Sequence, residues 1–259
     1  MPSTRVLSPD RDGDNKCSGW CSSATSVSAV RVHVAFTPGE SATAAVGIVV
    51  DVVRATSSIA QALSSGYERV LCCREIDEAN ALRAELHGEA VVGGERNGVV
   101  VEGFDVGASP REFAQGPRAK SLILSTTNGT ATILTAVDHC KTVLIGSLLN
   151  LSALVETAKA AAGGGDVAVI CAGYKGAFAF DDAYCAGKIV EALGGVRSDA
   201  AIAAALVAQA YPDPLAGLNA RTYGPPGLED DIVYCAQIDL LTTVPRFTRM
   251  VGQAAEITA

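Results

Sequence analysis

The stretch AVGIVVDVVRATSSIAQALSSG, residues 45–66, decides the fold class. Its first part, 45–53, is a run rich in β-branched residues and interrupted by charge at Asp51 alone, the pattern of a strand buried on both faces that ends at Asp51. Hydroxyl residues at 56–58 then open a helical pattern that ends at Gly66. Strand, tight turn and capped helix make one unit of a parallel sheet, with Asp51 and Arg54 at the turn.

The unit recurs along the chain with different turn chemistry. Strand 69–73 precedes helix 75–87, strand 120–125 precedes helix 129–138, strand 142–145 precedes helix 151–162, and strand 166–171 precedes a helix near 181–193. An alternating run at 30–36 reads as a half-buried strand, which makes His33 structural. This alternation predicts an α/β fold, three layers deep (α/β/α), around a mostly parallel or mixed sheet. The segment 93–110 reads as a long, polar, glycine-rich loop, and 198–211 and 228–240 read as helices set apart by Pro212-Asp213-Pro214 and Gly224-Pro225-Pro226-Gly227. No fixed-period repeat or coiled coil is found.

With 259 residues, 49% of them hydrophobic and 19% charged, the chain can bury a large core as one unit or two closely joined subdomains. The 26 glycines and 5% aromatics fit short turns and closely packed, Ala-rich helices. A net charge of −8 without a Lys/Arg cluster argues against nucleic acid as a partner. No uninterrupted apolar run of about 18 residues is present, so no membrane span is expected. The first 29 residues, rich in Ser, Asp, Gly and Thr, read as a loose extension before a domain at 30–259 in a cytoplasmic protein. Most of the eight cysteines sit in apolar runs and read as core residues of a reducing compartment; Cys17 and Cys21 lack the second pair that zinc requires.

In a parallel sheet, the strand ends that lead into helices share an edge, and ligands bind in the crevice outside it. Asp51, Arg54 and the helix capped by Thr56, with Ser57 behind it, would offer a carboxylate, a guanidinium and free N–H groups to a metal-bound phosphate there. The run Ser125-Thr126-Thr127-Asn128-Gly129-Thr130 ends an apolar strand in donors, more of them than a helix cap needs, and reads as an anion site. Glu95 and Arg96 begin the long loop, Lys175 sits in the turn Gly173–Gly176, and Asp181-Asp182 open a helix. Asp51, Glu95, Asp181 and Asp182 are the hard oxygen donors that Mg2+ prefers, and Arg54, Arg96, Lys175 and the Thr-rich turn are the anion contacts, a combination suited to phosphoryl hydrolysis. No Walker loop, dinucleotide fingerprint or nucleophile elbow is present. The turn after Asp51 also lacks the Asp-x-Asp pattern of aspartyl-phosphate enzymes, which favours activated water as the attacking group.

These motifs in this order resemble the 2-phosphosulfolactate phosphatase family: DVVRATSSI (51–59), GERNG (94–98) with GFDVGASP (103–110), STTNGT (125–130), GSLLN (146–150), and CAGYKG (171–176) followed by Asp181-Asp182. The resemblance spans about 45–190. It implies a magnesium-dependent phosphatase that releases phosphate from 2-phosphosulfolactate, a step toward coenzyme M, on an α/β/α fold. Two positions depart from the family pattern: Ala108 stands where the family usually has Asn, and Asp181 where it often has Glu. The expected partner is a small anionic phosphate ester, with a homodimer allowed for. The competing readings are a phosphatase for another small phosphorylated carboxylic acid and a non-catalytic anion-binding module. Four spaced carboxylates argue against the latter, because acids repel an anion unless a metal intervenes.

Overall fold

The computed structural model describes residues 30–40, 42–222 and 224–259; the expected extension at 1–29 lies outside them, as do Cys17 and Cys21. In chain order the elements are β1 (Arg31–Ala35), β2 (Ala44–Val50), α1 (Ala55–Ser64), β3 (Arg69–Cys72), α2 (Ile76–Glu85), β4 (Ala90–Arg96), β5 (Val99–Val100), α3 (Pro110–Phe113), β6 (Ser121–Ser125) and α4 (Gly129–His139). There follow β7 (Cys140–Gly146), α5 (Leu151–Ala162), β8 (Val167–Cys171), α6 (Phe180–Leu193), β9 (Val196–Arg197), α7 (Asp199–Ala210), α8 (Pro214–Asn219), α9 (Glu229–Cys235), β10 (Arg246–Val251) and β11 (Ala254–Thr258).

Among the described residues the eleven strands join one sheet in the order β5-β4-β6-β3-β11-β10-β7-β2-β8-β1-β9. One half, β7-β2-β8-β1-β9, is entirely parallel. In the other half β3, β6 and β4 are parallel and β5 folds back against β4. The hairpin β10–β11 lies between them, antiparallel to β7 on one side and to β3 on the other. Three antiparallel steps mean that the two halves run in opposite directions. Five strand steps separate β2 from β6, and a twist of about 20–25° per step turns the sheet by about 100–125° between them, which swings the two sets of exit ends together.

Alternation along the strands divides the interior. Val46, Ile48, Val50, Val167 and Val169 face a core with α5, α6 and α7, whereas Leu71 and Ile123 face a smaller one against α2. Their neighbours Val49, Ile170, Val70, Leu122, Leu124 and Ile257 share a third core with Ile59, Leu63 and Ile133 of α1 and α4. That core contains residues from both half-sheets, so α1 and α4 bridge them. The fold is thus the expected α/β class, a large mixed sheet with helices on its faces.

The structure corrects the sequence reading in three places. The long loop begins with strand β4, whose Gly93 and Gly94 hide the apolar pattern; at Gly94 (φ 155°) a Cβ would collide with the Ser125 carbonyl oxygen of the neighbouring strand. The helix expected over 228–240 is limited to α9, and the hairpin β10–β11 was not foreseen. His33 lies 3.8 Å from Asp166, away from the turns that carry the acids. No helix among the described residues is long and apolar enough to cross a membrane, and the described cysteines are free thiols, all buried except the half-buried Cys140.

Candidate active site

A cleft opens where the ends of β2, β4, β6 and β8 meet. Asp51, Arg54, Glu95, Thr126, Thr127, Asn128, Asp181 and Asp182 line it, joined by Arg221, Pro225 and Leu228 from the segment between α8 and α9. The N-termini of α1, α4 and α6 all border it, through Ala55, Asn128 and Asp181. Three helix N-termini around one cavity make an environment for an anion. Gly129, the first residue of α4, permits the contact between the two half-sheets: a Cβ there would lie 2.7 Å from Asp51 Oδ2 and 2.5 Å from Ala55 Cβ.

The four acids have different surroundings. Asp182 is spent on the backbone, its Oδ1 accepting the Val52 N–H at 2.9 Å and its Oδ2 the Gly173 N–H at 3.0 Å, so it ties the exit of β2 to that of β8. Burial, then Asp181 and Asp51, push its pKa well up, against the two N–H groups. Glu95 fixes a second pair of turns: Oε1 accepts the Thr127 N–H at 2.7 Å, and Oε2 accepts the Thr127 hydroxyl at 2.9 Å and the Gly98 N–H at 2.6 Å. Asp181 accepts its neighbour's N–H at 3.1 Å and faces Arg221 at 3.4 Å. Burial raises its pKa and Arg221 opposes the rise. Asp51 is pushed up to about 7 by burial first and then by Glu95 and Asp181, with the Ala55 N–H and Arg54 opposing. A half-buried carboxyl whose pKa is raised toward neutrality beside like charges is a mark of functional sites.

Arg54 is held from behind. Its Nη1 donates to Asp231 Oδ2 at 2.8 Å and its Nη2 to the Gly98 carbonyl at 3.4 Å, while the Ser109 hydroxyl donates to Asp231 Oδ1 at 2.6 Å. Asp231 and Ser109 therefore fix the guanidinium at the cleft wall, a role the sequence reading missed. Arg221 was missed as well. It follows α8 in a stretch with no strand and no helical period, and the available signal was only a basic residue beside the Gly-Pro-Pro-Gly turn.

Other expected contacts do not reach the cleft. The Thr56 hydroxyl donates to the Asp51 carbonyl at 2.9 Å and accepts the Asp51 N–H at 3.1 Å, and Ser57 donates to the Val52 carbonyl at 2.8 Å; both are buried turn braces. Thr130 is buried too, exchanging bonds with Thr126 as a cap of α4. Arg96, expected on the anion, instead donates to the carbonyls of Glu95 and Arg74 and to the Ser125 hydroxyl. Consecutive strand residues face opposite sides of a sheet, so Glu95 and Arg96 cannot both face the cleft. Lys175 is exposed, its ammonium 5.3 Å from the Tyr174 ring centre and its N–H bonded to Asn128 Oδ1 at 3.3 Å. That bond uses the oxygen of the Asn128 amide and leaves its nitrogen as a donor.

Among the described residues no three His, Cys, Asp or Glu side chains are arranged to hold a metal ion by themselves. Magnesium, however, is usually held by one or two carboxylates with water and substrate phosphate completing its shell. The acids here fit that mode: Asp51, whose charge is opposed by Glu95 and Asp181, would be eased by a divalent cation, whereas Asp182 has both oxygens committed elsewhere.

Residues 33–250 match the family model described as 2-phosphosulpholactate phosphatase. A probable 2-phosphosulfolactate phosphatase of Gloeobacter violaceus is 38% identical over 208 residues, covering 78% of this chain and 87% of its own. One of Thermus thermophilus is 37% identical over 235 residues, 87% of this chain and 98% of its own. The elements that build the cleft all lie within the matched span. A half-buried acid with a pKa near neutrality under three helix N-termini is a setting for phosphate-ester chemistry, and by these matches the chain belongs to the 2-phosphosulpholactate phosphatase family, a family of phosphoric monoester hydrolases.

Proposed function

We propose that the chain hydrolyses 2-phosphosulpholactate to sulfolactate and phosphate with the help of Mg2+, a step of the kind that leads toward coenzyme M. The observation that carries this reading is the meeting of three helix N-termini over Asp51, whose pKa lies near 7. The names of the relatives support the substrate. In this reading the phosphate is received by the start of α4, with the Asn128 amide nitrogen and the Asn128 and Gly129 N–H groups as donors, and by Arg54 from the opposite turn. Water is the second reactant. It attacks phosphorus, the ester P–O bond breaks, and the substrate hydroxyl leaves with a proton.

Asp51 works in its ionised form, whether it holds the cation or accepts the proton of the attacking water, and a pKa near 7 keeps that form available at neutral pH. Mg2+, held by Asp51 with Asp181 beside it, would neutralise acid and phosphate charge together. Asp182 and Glu95 contribute by fixing the turns, and Asp231 by aiming Arg54. Phosphate release should be measured from 2-phosphosulpholactate and from other small phosphorylated acids, with Mg2+ and with excess chelator. Release from 2-phosphosulpholactate that stops with chelator is expected. Undiminished turnover in chelator removes the metal from the reading, and faster turnover of another phosphorylated acid replaces the substrate.

A further inference from the structure

Three arginines lie at or near the strand exits, and they differ in how far their donors are used. Arg96 has three acceptors and Arg54 two. Arg221 has one among the described residues, Asp181 Oδ2 at 3.4 Å, well beyond the usual length of a charge-assisted bond of about 2.7–2.9 Å. Its side chain is nevertheless only 14% exposed. No buried side-chain nitrogen of the described residues lacks a partner, so the unused donors of Arg221 reach solvent, and the cavity that Arg221 lines is the cleft.

The segment that carries it is fitted to this place. At Gly224 (φ 138°) a Cβ would lie 3.0 Å from Arg221 Nη1, and Gly98 of the β4–β5 turn meets Pro225 so closely that a Cβ there would lie 2.5 Å from the ring. Arg221 thus stands on the wall of the cleft beside Asp181, with partners separate from those of Arg54.

We infer that Arg221 receives the second anionic group of the substrate, the carboxylate or sulfonate beside the phosphate ester; this rests on the phosphatase reading above. A guanidinium with four unspent N–H donors can take a carboxylate or sulfonate in a forked pair, while its bond to Asp181 is long enough to yield. Arg221 then selects phosphate esters that carry a further acid.

The test is to compare wild type with Arg221→Ala and Arg221→Lys on 2-phosphosulpholactate, 2-phospholactate, 2-phosphooxyethanesulfonate and p-nitrophenyl phosphate, the last lacking a second acid. Arg221→Ala should lower kcat/KM for esters bearing the contacted acid by about tenfold to a hundredfold more than for p-nitrophenyl phosphate, with Arg221→Lys between. The larger loss among 2-phospholactate and 2-phosphooxyethanesulfonate identifies the group. Equal loss on all four esters, or loss on none, overturns the inference. Sulfolactate binding by calorimetry is a separate readout: it should weaken in Arg221→Ala, and equal affinity in both proteins overturns the inference even if wild type hydrolyses none of the esters, a result that by itself sinks only the phosphatase reading.

Discussion

At the exit of β2 and at the start of α6, a half-buried and a buried aspartate border the same cleft under opposite terms. Asp182 gives each oxygen to a backbone N–H, and the structure around it depends on those bonds. Asp51 receives the Ala55 N–H and is otherwise pressed by Glu95 and Asp181 toward neutrality. Burial alone therefore does not mark a reactive carboxylate. What distinguishes one is burial without enough donors to settle its charge, because the unsettled charge is then available to a cation or a proton.

The largest effect should come from Asp51→Asn, which keeps the shape and removes the charge. Turnover is expected to fall by about a hundredfold or more, while Tm holds or rises. The pH dependence sharpens this. In the unfolded chain the Asp51 carboxyl titrates at its ordinary 3.8 and in the folded protein near 7, so between those values the folded form keeps a proton that the unfolded form has lost. The Asp51 contribution to stability is thus largest below about 4 and is lost as pH rises toward 7. In chelator, the Tm advantage of Asp51→Asn over wild type should grow from pH 5 to pH 8; an advantage that shrinks over that range contradicts the raised pKa.

Asn128→Ala comes next. The substitution removes the donor at the start of α4 but leaves the helix, so kcat and kcat/KM should fall together by about tenfold, the signature of a contact that strengthens in the transition state. Unchanged kcat with a raised KM would place the amide on ground-state binding instead. Asp182→Ala should break the comparison on the other side, by stability. It leaves two buried N–H groups without acceptors at about 1–3 kcal/mol each, partly offset by relief of acid repulsion, and Tm should drop by about 5 °C or more in thermal melts. A stable Asp182→Ala protein with no turnover would make Asp182 a reacting group like Asp51. The smallest kinetic effect is expected from Arg96→Ala, whose donors are spent on Glu95, Arg74 and Ser125; KM should stay where it is, and a raised KM would place Arg96 on the substrate after all.

Much of the cleft could be read from local pattern. Asp51 and Thr126–Asn128 each follow an uninterrupted apolar run, and a strand that stops abruptly in polar residues announces its turn. Glu95 was legible as an acid beside glycines, although the strand beneath it was not, since Gly93 and Gly94 interrupt the apolar signal of β4. Which side a residue faces was legible only once that strand was known, and so Arg96 was placed on the anion. Arg221 and Asp231 lay beyond this kind of reading. Their partners, Asp181 and Arg54, are 40 and 177 positions away in sequence, and neither sits at the end of an apolar run. The hairpin β10–β11 was hidden for another reason: β10 is largely exposed and carries Arg246, Thr248 and Arg249 among its residues, with no buried run to mark it.

That hairpin also sets a timetable for the molecule. Every residue lining the cleft lies at or before Leu228, yet strand pairing between the two half-sheets that present them runs, among the described residues, through residues 246–258 alone. During synthesis the ribosome releases all of the reactive groups before it releases the splice between their scaffolds. Until then β7 and β3 each carry a bare edge, a place where another nascent chain can add itself. A message cut short before Arg246 should therefore yield a polypeptide that clumps, with its chemistry encoded in full and never assembled.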